Sequence, residues 1–183
     1  HKPRLGSQKV SVVVNAVHEA DALPPAERSV IRQEILADDQ KMLIISVGRF
    51  SSVKAYDDLI RAFDSVHRAD DQTVLALVGT GVMREPWEKL AAELHLTDSV
   101  KFLGNRGDVP GLLQASDLFV SSSVVEGMPL AVMEAMSAGL PIIATSVGDL
   151  PDMINPACGV LVPPREPQQL ADAIITTLSN RQK

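Results

Sequence analysis

The chain has 183 residues, the length of one domain rather than two, and 45% of them are hydrophobic, which excludes a disordered or collagen-like polymer. Seventeen lysines and arginines against 23 acids leave a formal charge of −6, and aromatic residues make up only 3%, so neither a basic field nor a stacking platform for nucleic acid is present. The lone cysteine, Cys158, excludes an internal disulfide and a multi-cysteine metal site, and fits a reducing, cytoplasmic compartment.

Short apolar runs alternate with longer amphipathic segments. In chain order the spacing predicts a strand over 10–14, a helix over Pro25–Leu36, a strand over Met42–Val47 and a helix over 57–67. A strand over Thr73–Val78, a helix over 87–94, a strand over 100–103 and a helix over 110–115 follow. The remainder reads as a strand over Leu118–Ser121, a helix over 129–138, strands over 141–144 and Gly159–Val162, and a helix over 168–178. The strands are rich in β-branched residues and alternate little, as strands buried on both faces of a parallel sheet do. In the predicted helix 57–67, Leu59, Ile60, Phe63 and Val66 fall on one face. This rhythm predicts an α/β fold, a doubly wound parallel sheet in a single Rossmann-like domain. None of the apolar runs approaches the roughly 18 residues of a membrane span.

Open parallel sheets bind ligands beyond the carboxyl ends of their strands. The residues there are Gly48, Arg49 and Lys54 after the strand at 42; Gly79, Thr80 and Gly81 after that at 73; Gly104 to Gly107 after that at 100; Ser122, Ser123 and Glu126 to Pro129 after that at 118; and Thr145, Gly148 and Asp149 after that at 141. Polar, charged and glycine residues thus gather at one rim, which suits a phosphorylated ligand.

Glu126-Gly127-Met128-Pro129-Leu130 opens the helix that carries Glu134. Pro129 fits the first helical turn, whose free N–H groups and dipole attract an anion. Gly127 removes a Cβ from the path of a phosphate. Glu126 is within reach of sugar hydroxyls and Glu134 of a ribose diol. The same acids also suit a dipole-stabilising residue and a solvated helix face, and spacing alone does not decide. Arg49 and Lys54 suit a diphosphate, or surface pairing with Asp57 and Asp58. Gly79-Thr80-Gly81 starts a dinucleotide fingerprint, but Arg84 stands where its third glycine belongs, so a nicotinamide site loses support. His18, His67 and His95 lack metal-ligand spacing, and no metal site is expected.

Together these pieces resemble the C-terminal, donor-binding domain of the group 1 retaining glycosyltransferases, family 4, of GT-B architecture. The matching stretches are Val47-Gly48-Arg49-Phe50 with Lys54, Leu77-Val78-Gly79-Thr80-Gly81, Val100-Lys101-Phe102-Leu103-Gly104 and Asp117-Leu118-Phe119-Val120. They continue through the E-x7-E stretch from Glu126 to Glu134, then residues 141–148 and 159–164. The resemblance implies transfer of a sugar from a nucleotide-diphosphate sugar, UDP- or GDP-linked, with retention at the anomeric carbon and no cofactor. It implies that Arg49 and Lys54 hold the diphosphate, Glu126 the sugar hydroxyls and Glu134 the ribose. It also implies donor contacts at Gly48, Gly79, Gly127, Met128, Pro129 and Leu130, with Phe102 to Arg106 near the base.

Residues 1–13 are then expected to lead in from an N-terminal acceptor domain, and 14–183 to form the donor domain. No room exists for the acceptor domain in 183 residues, so the isolated chain is expected to bind donor without meaningful transfer, and any membrane association to reside in the other half. Three positions depart from the family pattern: Ala16 and Ala55, where glycine is usual, and Asp149, where a second glycine is frequent. The alternatives are a non-catalytic nucleotide-sugar binding module and one half of a sugar-nucleotide epimerase or hydrolase.

Overall fold

The structure, a computed structural model, describes residues 15–17, 21–36 and 38–181. The expected strand over 10–14 and the lead-in over 1–13 lie outside them. In chain order the elements are α1 (Pro25–Leu36), β1 (Met42–Val47), a 3₁₀ turn (Ser52–Lys54), α2 (Tyr56–Ala69), β2 (Thr73–Val78), α3 (Arg84–Glu93) and β3 (Val100–Gly104). There follow α4 (Val109–Ala115), β4 (Leu118–Ser121), α5 (Leu130–Ser137), β5 (Ile142–Thr145), α6 (Leu150–Met153), β6 (Gly159–Val162) and α7 (Pro167–Arg181).

All strand pairings are parallel, in the order β3-β2-β1-β4-β5-β6. This is the order of a doubly wound dinucleotide-type sheet. Strand periodicity of two sends alternate side chains to two separate cores. Ile44, Leu75, Leu77 and Val120 face α2, α3 and α7. Leu43, Ile45, Ala76 and Phe119 face the layer of α1, α4, α5 and α6. Because both faces are covered, β1 and β2 read as largely apolar runs without alternation, with Ser46 and Thr73 as their buried polar residues.

Arg32 on α1 is 4% exposed and acts as a buried fastener. Its guanidinium donates to the carbonyls of Asp39, Lys41 and Ala115 and to the carboxylates of Asp39 and Asp117. This joins the end of α4 to the start of β1. At the far end of α3, His95 takes a left-handed conformation, φ 59°, while Leu96 N–H reaches Ala91 O at 2.8 Å. That is a helix stop for which glycine is the usual residue.

Two expectations need correction. Pro129 is not in the first turn of α5 but caps it, in an extended conformation with φ −76° and ψ 114°, and the helix starts at Leu130. Its carbonyl accepts from Val132 and Met133. The segment 150–153, given no element by periodicity, forms the short helix α6, capped at Asp149.

Candidate functional site

The strand order reverses between β1 and β4, and the loops leaving those strands diverge there. Gly48 and Arg49 leave β1; Ser122 and Ser123 leave β4. Lys54, at the end of the 3₁₀ turn, points its Nζ at Glu126 Oε1, 2.6 Å away. The side chains are 18% and 12% exposed, so the pair is largely shielded from water. A Cβ at Gly48 would stand 2.9 Å from Lys54 Cε, so the glycine gives the lysine stem its path across the loop.

Buried hydroxyls fix both partners. Ser122 Oγ donates to the carbonyl of Lys54 at 2.9 Å. Ser123 Oγ donates to Glu126 Oε1 at 2.6 Å. Thr145, at the end of β5, donates to the carbonyl of Ser123. Among the described residues nothing bonds to Glu126 Oε2. Under this network Tyr56 is buried, and burial together with the nearby Glu126 charge pushes its phenol well above the ordinary range. Its oxygen accepts from Ser46.

Arg49 is exposed and makes no ion pair among the described residues. It lines a cleft of about 460 Å³ together with Gly48, Gly79, Asn105 and Arg106. The turn after β2 presses on the turn after β1. A Cβ at Gly79, φ +136°, would stand 1.9 Å from Gly48 O, and one at Gly81 would stand 2.2 Å from Phe50 O. These two glycines are therefore required by loop-on-loop contact. The same test treats Gly127 differently. Its Cβ would meet nothing within 4 Å, and its φ needs no glycine. The fold itself therefore does not require a glycine at this position.

Asp149 N–H donates to the carbonyl of Gly127, and a Cβ on Gly148, φ +56°, would stand 2.3 Å from Glu126 O. The turn before α6 thus supports the Glu126 loop from below, with the Asp149 side chain exposed. Asn15 Nδ2 donates to Met128 O from the other side. Ala55 takes a left-handed conformation, φ 48°, and is fully buried, which is the physical reason that a glycine suits this position. Its alanine strains the turn rather than crowding the cleft.

The other candidates make contacts of their own. Arg106 is held in a fork by Glu34 on α1 and by Asp108, and it pulls both carboxyls below their ordinary range. Phe102 turns its ring away, edge-on to Phe50 at 6.2 Å, within an aromatic cluster that includes Tyr56 and Trp87. Glu134 and Leu130 line a separate cavity of about 590 Å³ between α4, α5 and residues near Leu23. Asp57 and Asp58 pair with Arg165, not with Arg49 or Lys54. Ser122, Ser123 and Thr145 stood at the predicted rim without a role; the run of hydroxyls at a strand end was the available signal.

The family model for glycosyl transferases group 1 matches residues 27–183. The chain belongs to the group 1 glycosyltransferases. Over 94% of its length this transferase domain is 32% identical to an uncharacterised glycosyltransferase of Methanocaldococcus jannaschii, and covers 45% of that protein. It is 28% identical over 85% of its length to a GDP-mannose-dependent mannosyltransferase of Corynebacterium glutamicum that acts on a monoacylated phosphatidylinositol monomannoside, 43% of which is covered. It superposes on the crystal structure of Anabaena HepE in complex with UDP-glucose with a TM-score of 0.80, at 29% identity, over 87% of this chain and 45% of that one. The transferase domain thus spans less than half the length of these relatives. No helix among its described residues is long and apolar enough to cross a membrane.

Proposed function

We propose that this chain is the donor-binding domain of a retaining glycosyltransferase that moves a hexosyl group from a UDP- or GDP-sugar to an acceptor held by another part of the whole protein. The observation that carries the reading is the Lys54–Glu126 pair across the β1/β4 reversal, with Arg49, which makes no ion pair among the described residues, on the same loop out of β1. A bare carboxylate would repel a diphosphate, and a bare lysine would not order a sugar. Together they supply one group for each half of the donor.

In the reaction, the bond between the sugar C1 and the diphosphate oxygen breaks, and the electron pair leaves with the diphosphate. Arg49 and Lys54 offset the growing charge at that oxygen. The acceptor hydroxyl bonds to C1 from the same face and passes its proton to the departing diphosphate oxygen, giving the glycosylated acceptor and the nucleoside diphosphate. Glu126 orients the sugar hydroxyls through Oε2, Glu134 binds the ribose, and Gly127 lets the phosphates approach the backbone. The remaining donor contacts assigned here are Gly48, Gly79, Arg106, Met128, Pro129 and Leu130; Phe102, whose ring faces the aromatic cluster, contributes only by starting the loop that carries Arg106. A metal is not needed, since two cations already meet the leaving group.

The HepE complex supports a UDP-sugar donor and the Corynebacterium relative a GDP-sugar donor. Calorimetric titration of the chain with UDP, GDP and ADP, repeated on Arg49→Ala plus Lys54→Ala, tests the site. Binding of one diphosphate that is lost in the double variant is expected. A folded chain that binds none, alone or within the full-length protein, overturns the assignment.

A further inference from the structure

Glu126 has two carboxylate oxygens, and the fold treats them unequally. Oε1 receives both Lys54 Nζ and Ser123 Oγ, each at 2.6 Å. Oε2 receives nothing among the described residues. Ser123 is 1% exposed, so its hydroxyl must find an acceptor inside the protein. Its own position is fixed from two sides. Thr145, 3% exposed, donates to its carbonyl from β5, and Ser121 Oγ approaches its hydroxyl oxygen at 3.5 Å from β4. The neighbouring Ser122 performs the matching task for Lys54, on the backbone rather than the side chain. Two adjacent serines therefore grip the two members of one ion pair.

We infer that Ser123 is a positioning residue: its hydroxyl sets the rotation of the Glu126 carboxylate, so that Oε1 faces Lys54 and Oε2 alone is offered to the sugar. The inference rests on the donor-binding reading above. A lysine by itself does not fix this rotation, because an ammonium is a point charge without directional preference. A hydroxyl on a buried backbone supplies the direction. The contact concerns the sugar half of the donor, since losing it changes the direction of the carboxylate but leaves its charge beside Lys54, and with it the balance of charge that a diphosphate meets.

The test is the affinity of the full chain for UDP against UDP-glucose, and for GDP against GDP-mannose, in the wild type, Ser123→Ala and Ser123→Thr. Ser123→Ala is expected to bind the free diphosphate within twofold of the wild type and the sugar nucleotide about tenfold more weakly, the size of one hydrogen bond to a charged group. Ser123→Thr, which keeps the hydroxyl, is expected to restore most of the loss. If Ser123→Ala does not fold, Ser123→Cys replaces it, with a weak donor of similar size and the same selective loss. Equal weakening of both ligands, or no change in either, overturns the role of Ser123 while leaving the donor site standing. A folded wild-type chain that binds neither nucleotide, alone or within the full-length protein, overturns the donor-binding reading, and this inference with it.

Discussion

Lys54 and Glu126 lie 72 positions apart in the chain, yet their charged atoms meet at 2.6 Å above the seam between β1 and β4. The carboxylate occupies the lysine that a diphosphate would use. Removing its charge should therefore favour the free nucleotide. Glu126→Gln is expected to bind UDP or GDP about three- to tenfold more tightly, on the order of 1 kcal/mol of relieved repulsion, while transfer by the whole protein falls. Titration calorimetry on the wild type and Glu126→Gln checks this, and weaker nucleotide binding by the variant would show that Glu126 supports the phosphate site.

Gly127 and Gly148 separate ligand clearance from fold. Gly148→Ala places a methyl 2.3 Å from the Glu126 carbonyl at a φ of +56°, so the loop must move. A loss of about 1–3 kcal/mol in stability is expected, together with loss of donor binding. Gly127→Ala meets no protein atom and should melt within about 0.5 kcal/mol of the wild type. It should nevertheless weaken donor binding. A Gly127→Ala chain that binds normally would remove the phosphate from this position.

Arg32 is expected to dominate the stability of the opposite end of the sheet. Arg32→Met leaves Asp117 short of a buried partner and strips three carbonyls of their donor. The loss should be about 3 kcal/mol, which for this size lowers the melting temperature by roughly 6–12 °C. Scanning calorimetry reads it directly, and a change under about 1 kcal/mol would mean that water replaces the guanidinium.

His95→Gly should stabilise the protein. His95 is exposed and holds a left-handed φ of 59° at the end of α3. Glycine relieves that strain at some cost in unfolded-chain entropy, leaving a net gain of about 0.5–1 kcal/mol. An unchanged or lower melting temperature would count against the strain.

The Arg106 fork makes a pH-dependent contribution with a definite sign. Arg106 lowers the folded-state pKa of Glu34 and Asp108, so both contribute stability above their unfolded values. That contribution fades as pH falls through the lowered folded values, below about pH 4.5. The two acids are about half exposed, at 51% and 47%, so the effect is expected to stay within about 1 kcal/mol. Melting curves between pH 6 and 3 should fall more steeply for the wild type than for Arg106→Gln.

Strands β1, β2, β4 and β6 were legible to the residue: burial on both faces makes the first three mostly apolar runs, and the edge strand β6 is bounded by Gly159 and the Pro163-Pro164 stop although Val160 is exposed. Helix α2 was under-read at both ends: Tyr56 extends the buried stripe of Leu59, Ile60 and Phe63 by one turn but carries a polar hydroxyl, and Ala69 is exposed and adds nothing to the stripe. A four-residue helix such as α6 cannot display a 3.6-residue period. Arg49, Lys54 and Glu126 were legible as a group since all follow strand ends. Their pairing was not, because it depends on which strands are neighbours. Phe102 shows the same limit. Its strand parity sends the ring toward α3, and parity relative to a layer is set only once the helices have docked. The partner of Arg106 is equally remote, since Glu34 comes from a helix 72 positions earlier.

The halves β3-β2-β1 and β4-β5-β6 each carry one member of the ion pair, and the register joining them is Ile44 to Leu118 and Ile45 to Phe119. A slip of one residue along that seam would displace one charge by about 3.3 Å relative to the other, more than a hydrogen bond tolerates. The pair thus works as a vernier on the alignment of the two half-sheets. Packing changes in the core beneath, at Ile45 or Phe119, would be transmitted to the loop ends as a change in site geometry without any contact with the ligand.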